Sequence, residues 1–207
     1  MPIDLQGVTI AGGLDLRRLG TVSKPFRCTA CTFDGSLLAT DVVFERIVDV
    51  SGAVVRGDVD LRGAVFDDAA LLKRAEIGTA EAPAVMDARL ARFAGPVNFD
   101  YASLSGDADF TGARFLAGAS FAGTDFGERA RFDLATFAEG AVFTGAAASD
   151  PVPLDETACA GRVGASPSSQ GAGCPCSTRS RSISADASPR VSGNSSPALS
   201  HSTPASA

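Results

Sequence analysis

"SLSGDADFTGARFLAGASFAGTDFGERARFDLATF", residues 103–137, decides how this chain is built. Leu104, Phe110, Phe115, Phe121, Phe126, Phe132 and Phe137 follow one another at alternating steps of six and five residues. Two positions before each stands a small residue: Ala102, Ala108, Ala113, Ala119, Thr124, Ala130 and Ala135. The beat continues outward to Phe99 and Phe93 on one side, with Val97 and Ala91, and to Phe143 on the other, with Ala141. The repeating unit is Ala-x-Phe-x-x, with one extra residue in every second copy.

A helix repeats its apolar face every 3.6 residues and a strand every two, so neither produces this spacing. A coil that turns a corner every five or six residues does. On a short extended segment, residues i and i−2 point to the same side. The Phe and the Ala before it therefore point inward together, while the residues between them face water. Coils stacked at the strand spacing of ~4.8 Å superpose like side chains into ladders, Phe on Phe and Ala on Ala. One small residue per side is needed because two bulky ones would overfill a narrow core.

The same register runs backwards through Leu5, Ile10, Leu16, Val22, Cys28, Phe33, Leu38, Phe44, Val50, Val55, Leu61, Phe66, Leu72 and Ile77. Their i−2 partners include Val8, Cys31, Ser36, Val42, Val48, Ala53, Val59, Ala64, Ala70 and Ala75, and Phe26 is the one Phe that falls on a partner position. Between the two runs, "GTAEAPAVMDARLARFAG" reads as an insertion over 79–92. Met86, Leu90 and Phe93 are spaced for one or two helical turns, and an insertion loop that rejoins the register at Phe93 is the other reading.

The copies "ADFTG", "ARFLA", "ASFAG", "ARFDL" and "VDLRG" resemble the pentapeptide-repeat family, whose consensus is Ala-Asp/Asn-Leu/Phe-x-x. The resemblance is strongest over 93–147, weaker over 49–78 and weakest over 3–48. It implies an all-β fold, a right-handed quadrilateral parallel β-helix of about six coils. The regular five/six alternation departs from the family's best-known members, which keep five. The resemblance also implies a non-enzymatic interaction scaffold with no cofactor. Members of the quinolone-resistance type are understood to mimic DNA and act on DNA gyrase, which makes gyrase a candidate partner. Those members dimerise through a helical C-terminal module that this sequence lacks.

The chain divides in composition as it does in pattern. Residues 1–148 carry the repeat, whereas 149–207 contain no Phe or Tyr and are dominated by Ser, Pro, Ala and Gly. Such a segment buries too little apolar surface to offset its ordering entropy, so it reads as a disordered tail. The product of a reading-frame shift is the alternative. The formal charge is −6, with 21 acidic and 14 basic side chains in residues 1–150, which argues against direct nucleic-acid binding. No stretch approaches the length of a membrane span, and the expected location is the cytoplasm.

Candidates for chemistry are few. Cys28 and Cys31 have the spacing of a redox pair or half a zinc site that Cys174 and Cys176 would complete. The ladder accounts for them more simply as small buried side chains. The single histidine, His201, lies in the tail. Outward acidic residues, including Asp107, Asp109, Asp125 and Asp133, offer a negative surface, and Tyr101 is an aromatic on an outward position. Arg17, Arg56, Arg62, Arg114 and Arg131 occupy equivalent outward slots and break up that field. The coil carrying Phe143 has no evident polar cap, which points to an end-to-end homodimer or to further coils lost where the tail begins.

Overall fold

The structure, a computed structural model, describes residues 3–149 together with Ala158–Cys159. Short parallel strands form four sheets, one for each side of a square coil, and about six coils stack into a rod. The first face is built from Ile3–Gln6, Phe26–Thr29, Val48–Asp49, Ala70–Leu71, Val97–Asn98, Ala119–Ser120 and Ala141–Val142. The second takes Thr9–Ile10, Thr32–Phe33, Val54–Val55, Glu76–Ile77 and Ser103–Leu104, continued by single bridges to Asp125 and Ala147. The third takes Leu14–Asp15, Leu37–Leu38, Val59–Asp60, Met86–Asp87, Ala108–Asp109 and Ala130–Arg131. The fourth takes Thr21–Val22, Val43–Phe44, Val65–Phe66, Arg92–Phe93, Arg114–Phe115, Thr136–Phe137 and Ala158–Cys159.

The ladders are those that the repeat predicts. Phe93, Phe99, Leu104, Phe110, Phe115, Phe121, Phe126, Phe132 and Phe137 are buried with their small partners, and Phe143, in the last complete coil, is half-buried. Along the fourth face Phe44, Phe66, Phe93, Phe115 and Phe137 stack at centroid distances of 4.6–4.9 Å. Phe99, Phe121 and Phe143 stack along the first face, and Phe110 on Phe132 along the third. Neighbouring columns meet edge to face, as Phe99 does with Phe110 at 88°, so stacked and perpendicular contacts together fill the core. At Thr124 a hydroxyl takes an inward slot, and it is satisfied by donating to the Phe99 carbonyl at 2.8 Å.

The alternation of five and six has a plain geometric origin. A five-residue step closes a tight corner. In most of these corners the amide of the next inward residue bonds back to the previous central carbonyl, as Ala102 does to Phe99 and Ala113 to Phe110. The third residue of such a turn sits at positive φ, the requirement of a type II turn. Gly52, Gly112 and Gly123 supply it readily, while Arg74, Leu90, Tyr101 and Leu134 adopt it without being glycine. A six-residue step spreads over a wider corner. Two of each kind give a 22-residue coil, as in the pairing of Phe26 with Val48 and of Val48 with Ala70.

Two stretches depart from the expected register for one reason. At residues 36–39 the inward pair is Leu37 and Ala39, not Ser36 and Leu38. Over 79–92 no helix forms. Ala84, Met86, Ala88 and Ala91 are already buried on the ladder, Met86–Asp87 pairs with both neighbouring strands of the third face, and only 79–83 lie outside the repeat. In both places the large and small residues have exchanged positions, Leu37 before Ala39 and Met86 before Ala88. The volume at the corner is conserved while the Ala-x-Phe order is inverted.

Cys28 and Cys31 occupy the inward slots expected of them, but as a disulfide and not as free thiols. Consecutive inward residues across a tight corner lie close, here with Cα atoms 5.4 Å apart, within the span of a disulfide. The tail expected over 149–207, with Cys174, Cys176 and His201, otherwise lies outside the described residues.

Candidate interaction surface

Each face presents one outward column per strand, and the four columns differ in chemistry. On the third face the column runs Asp15, Leu38, Asp60, Asp87, Asp109 and Arg131. Two residues further along each strand stand Arg17, Thr40, Arg62, Arg89, Thr111 and Asp133. Asp15, Asp60 and Asp87 each take a two-pronged ion pair from the arginine two places later, with a shortest contact of 2.7 Å. The arginine Nε supplies the second prong at 2.9–3.0 Å. Arg62 also reaches Asp87 on the next coil at 3.6 Å. The guanidinium of Arg17 holds the Asp15 carboxyl at a pKa of about 2, below its ordinary value. Burial pushes Asp60 upward, but the hydrogen bonds from Arg62 outweigh it and leave that carboxyl lowered as well. Three carboxylates of this face, Asp15, Asp60 and Asp87, are thus met by arginines of the same face.

The acidic residues singled out in the sequence do not form one patch. Asp109 lies on the third face between Asp87 and Arg131 and accepts the Thr111 amide at 2.9 Å. Asp107 stands at the corner before it, 3.8 Å from Arg129. Asp133 follows the third face in register with Thr111, whereas Asp125 is on the second face and accepts the Gly127 amide. Tyr101 is on the corner between the first and second faces, 62% exposed, with its ring over Gly123, where an added Cβ would come within 2.8 Å of two ring carbons.

The first face changes character along the rod. Its outward column begins Asp4, Arg27, Asp49 and continues Leu71, Asn98, Ser120, Val142, so no charge stands on it in the later coils. Asp100, beside this column, is satisfied internally by the Ser120 hydroxyl, the Ala122 amide and the Asn98 side-chain amide. A hollow of about 460 Å³ opens there, lined by Leu71, Pro96, Asn98, Gly118, Ser120, Gly140 and Val142 among others, with Glu139 at its edge.

Gly118 is part of the lining of the hollow. At the same wide corner one coil earlier, the residue in register with Gly118 is Pro96, not a glycine. A Cβ on Gly118 would meet nothing within 4 Å, and its φ is not positive, so the fold itself does not require glycine there. Across the hollow the Ala119 amide reaches the Gly140 carbonyl at 3.4 Å, against 3.0 Å for the preceding rung from Val97 to Gly118. Sequence reasoning missed this hollow. Its only signal was the replacement of Pro96 by Gly118 and Gly140 at one ladder position, legible only after the coil length is known.

Among the described residues, no three His, Cys, Asp or Glu side chains come together to hold a metal ion, and no helix is long and apolar enough to cross a membrane. No curated protein and no solved structure matches the chain. The family model described as "Pentapeptide repeats (9 copies)" matches residues 87–124 and 99–147. That stretch contains the most regular of the Phe and Ala ladders, and its register continues through the coils before it. The repeats of residues 87–147 are those of the pentapeptide-repeat family.

Proposed function

We propose that the protein is a non-enzymatic scaffold whose first face, from Leu71 to Val142, makes contact with a partner protein. The observation that carries this reading is the uncharged outward column with a hollow that the fold does not need to leave open. Uncharged, partly apolar surface with few well-placed polar groups is what the centre of a protein interface uses, whereas charge is depleted there. Tyr101 belongs to the same contact, as an exposed aromatic at the edge of this face. The reading keeps the cytoplasmic location expected from sequence. An end-to-end homodimer is compatible with it, because pairing through a rod end leaves the first face free.

The DNA-mimic reading draws on Asp107, Asp109, Asp125, Asp133 and the net charge of −6. The ion pairs on the third face weigh against it, since a mimic of duplex phosphates needs charge that its own side chains do not neutralise.

A photo-crosslinking residue placed at Ser120, compared with one at Thr111 on the third face, tests the assignment. The expected result is a discrete protein adduct from Ser120 that is lost on Gly118→Arg, with none from Thr111. Equal labelling from both positions, or none from Ser120, overturns it. If the full chain inhibits DNA supercoiling by gyrase and reversal of Asp107, Asp109 and Asp125 to Lys abolishes the effect, the DNA-mimic reading replaces this one.

A further inference from the structure

The Cys28–Cys31 disulfide lies inside the core, yet on one side the described residues cover it with a single coil. In register, Leu5 stacks on Cys28 and, one step before the second-face pairing of Thr9 with Thr32, Val8 stacks on Cys31. On the other side stand Val50 and Ala53, both buried. The two coverings are unequal. Both cysteines are fully buried, but Leu5 is 36% and Val8 39% exposed, and every residue of Ile3–Gln6 is exposed. Among the described residues the strand Ile3–Gln6 pairs on one side only, with Phe26–Thr29, and is exposed throughout where that neighbour alternates buried and half-buried. Such terminal elements open locally at far lower free energy than the core behind them.

We propose that Cys28–Cys31 is a thiol–disulfide modification site gated by the first coil. When Ile3–Ile10 lifts, a dithiol reductant reaches the sulfurs. Its thiolate attacks one cysteine sulfur and forms a mixed disulfide, and its second thiol then displaces the remaining cysteine. The reductant leaves as a disulfide, and the protein gains two electrons and two protons as two thiols. Both thiols fit the same inward slots as small apolar side chains, so the ladder persists. What is lost is the clip across the corner at Ala30, which holds positive φ without being glycine. Reduction therefore loosens the end of the rod while leaving the Phe ladders intact, and the pair records the redox state of its surroundings.

The test is the rate at which dithiothreitol opens the disulfide in the full chain. Alkylation is followed by mass on the tryptic peptide between Arg27 and Arg46, which holds both cysteines and none of the others. Wild type should react about a hundredfold or more slowly than the urea-unfolded chain, and Leu5→Asp or Val8→Asp should accelerate it about tenfold. Leu134→Asp, at an exposed corner of a late coil, should leave the rate unchanged. Circular dichroism on the same variants separates lifting of the first coil from global unfolding, which should not accelerate in step. Three results would each overturn the proposal: free thiols at both positions after mild oxidation, reduction of wild type as fast as the unfolded chain, or first-coil variants no faster than Leu134→Asp.

Discussion

At the scale of single residues, the rod depends on which side chains occupy the corners and on what pairs with what outside. Leu90, Tyr101 and Leu134 hold a left-handed backbone that costs an ordinary residue about 1–2 kcal/mol, and they remain 62–72% exposed. The stacked coils fix the corner geometry and leave the residue no choice. Outside the core, Asp15 illustrates how charge is managed. Its pKa of about 2 lies below the ordinary carboxylate value, so the pairing with Arg17 is complete above about pH 4 and is lost as pH falls through 2. A carbon NMR titration should place the Asp15 midpoint near 2 in the wild type and near the ordinary value in Arg17→Gln, whereas an ordinary midpoint in the wild type would contradict the pairing. The Asp-x-Arg spacing at 15–17, 60–62 and 87–89 was plain in the sequence. Its meaning was not, because residues two apart on a strand share a face only once the strand is assigned.

At the scale of the repeating element, the unit is one large and one small inward residue per side, in either order. This explains both what was legible and what was not. The Phe and Ala ladders from Phe93 to Phe143 declare themselves because nine Phe in that stretch leave little freedom in where to start counting. Leu37–Ala39 and Met86–Ala88 were misplaced because a search for small-then-large cannot see large-then-small, although both orders fill the corner equally. The same misreading made 79–92 look like an insertion, when only 79–83 depart from the coil. The volume argument has a direct test in a double-mutant cycle. Met86→Ala should cost ~2–5 kcal/mol by leaving a cavity, and Ala88→Met ~1–3 kcal/mol by overpacking. Their combination restores the volume in the order used elsewhere and should be markedly less destabilising than the sum, as judged by urea unfolding. Strict additivity would show that the order of the pair matters as much as its volume.

At the scale of the whole molecule, four faces of one rod carry different chemistry on a common scaffold. The third is lined with ion pairs and is well suited to water, the later coils of the first carry an uncharged outward column and a hollow, and the earliest described coil lies exposed over a buried disulfide. None of these differences was readable before the coil length was known, since residues 22 apart become neighbours only when the sheets are assembled. That assembly is also the central claim. Arg27 and Val142 both point outward on the first face, separated by five rungs through Asp49, Leu71, Asn98 and Ser120. The five additional residues at 79–83 bulge outward and add no rung. Spin labels introduced site-specifically at Arg27 and Val142, with their separation read by pulsed electron paramagnetic resonance, test this arrangement most directly. A single narrow distribution near ~24 Å, five strand spacings, is the expected result. A broad distribution, or a narrow one displaced by a whole coil or more after allowing for label length, would contradict the continuous four-sided rod.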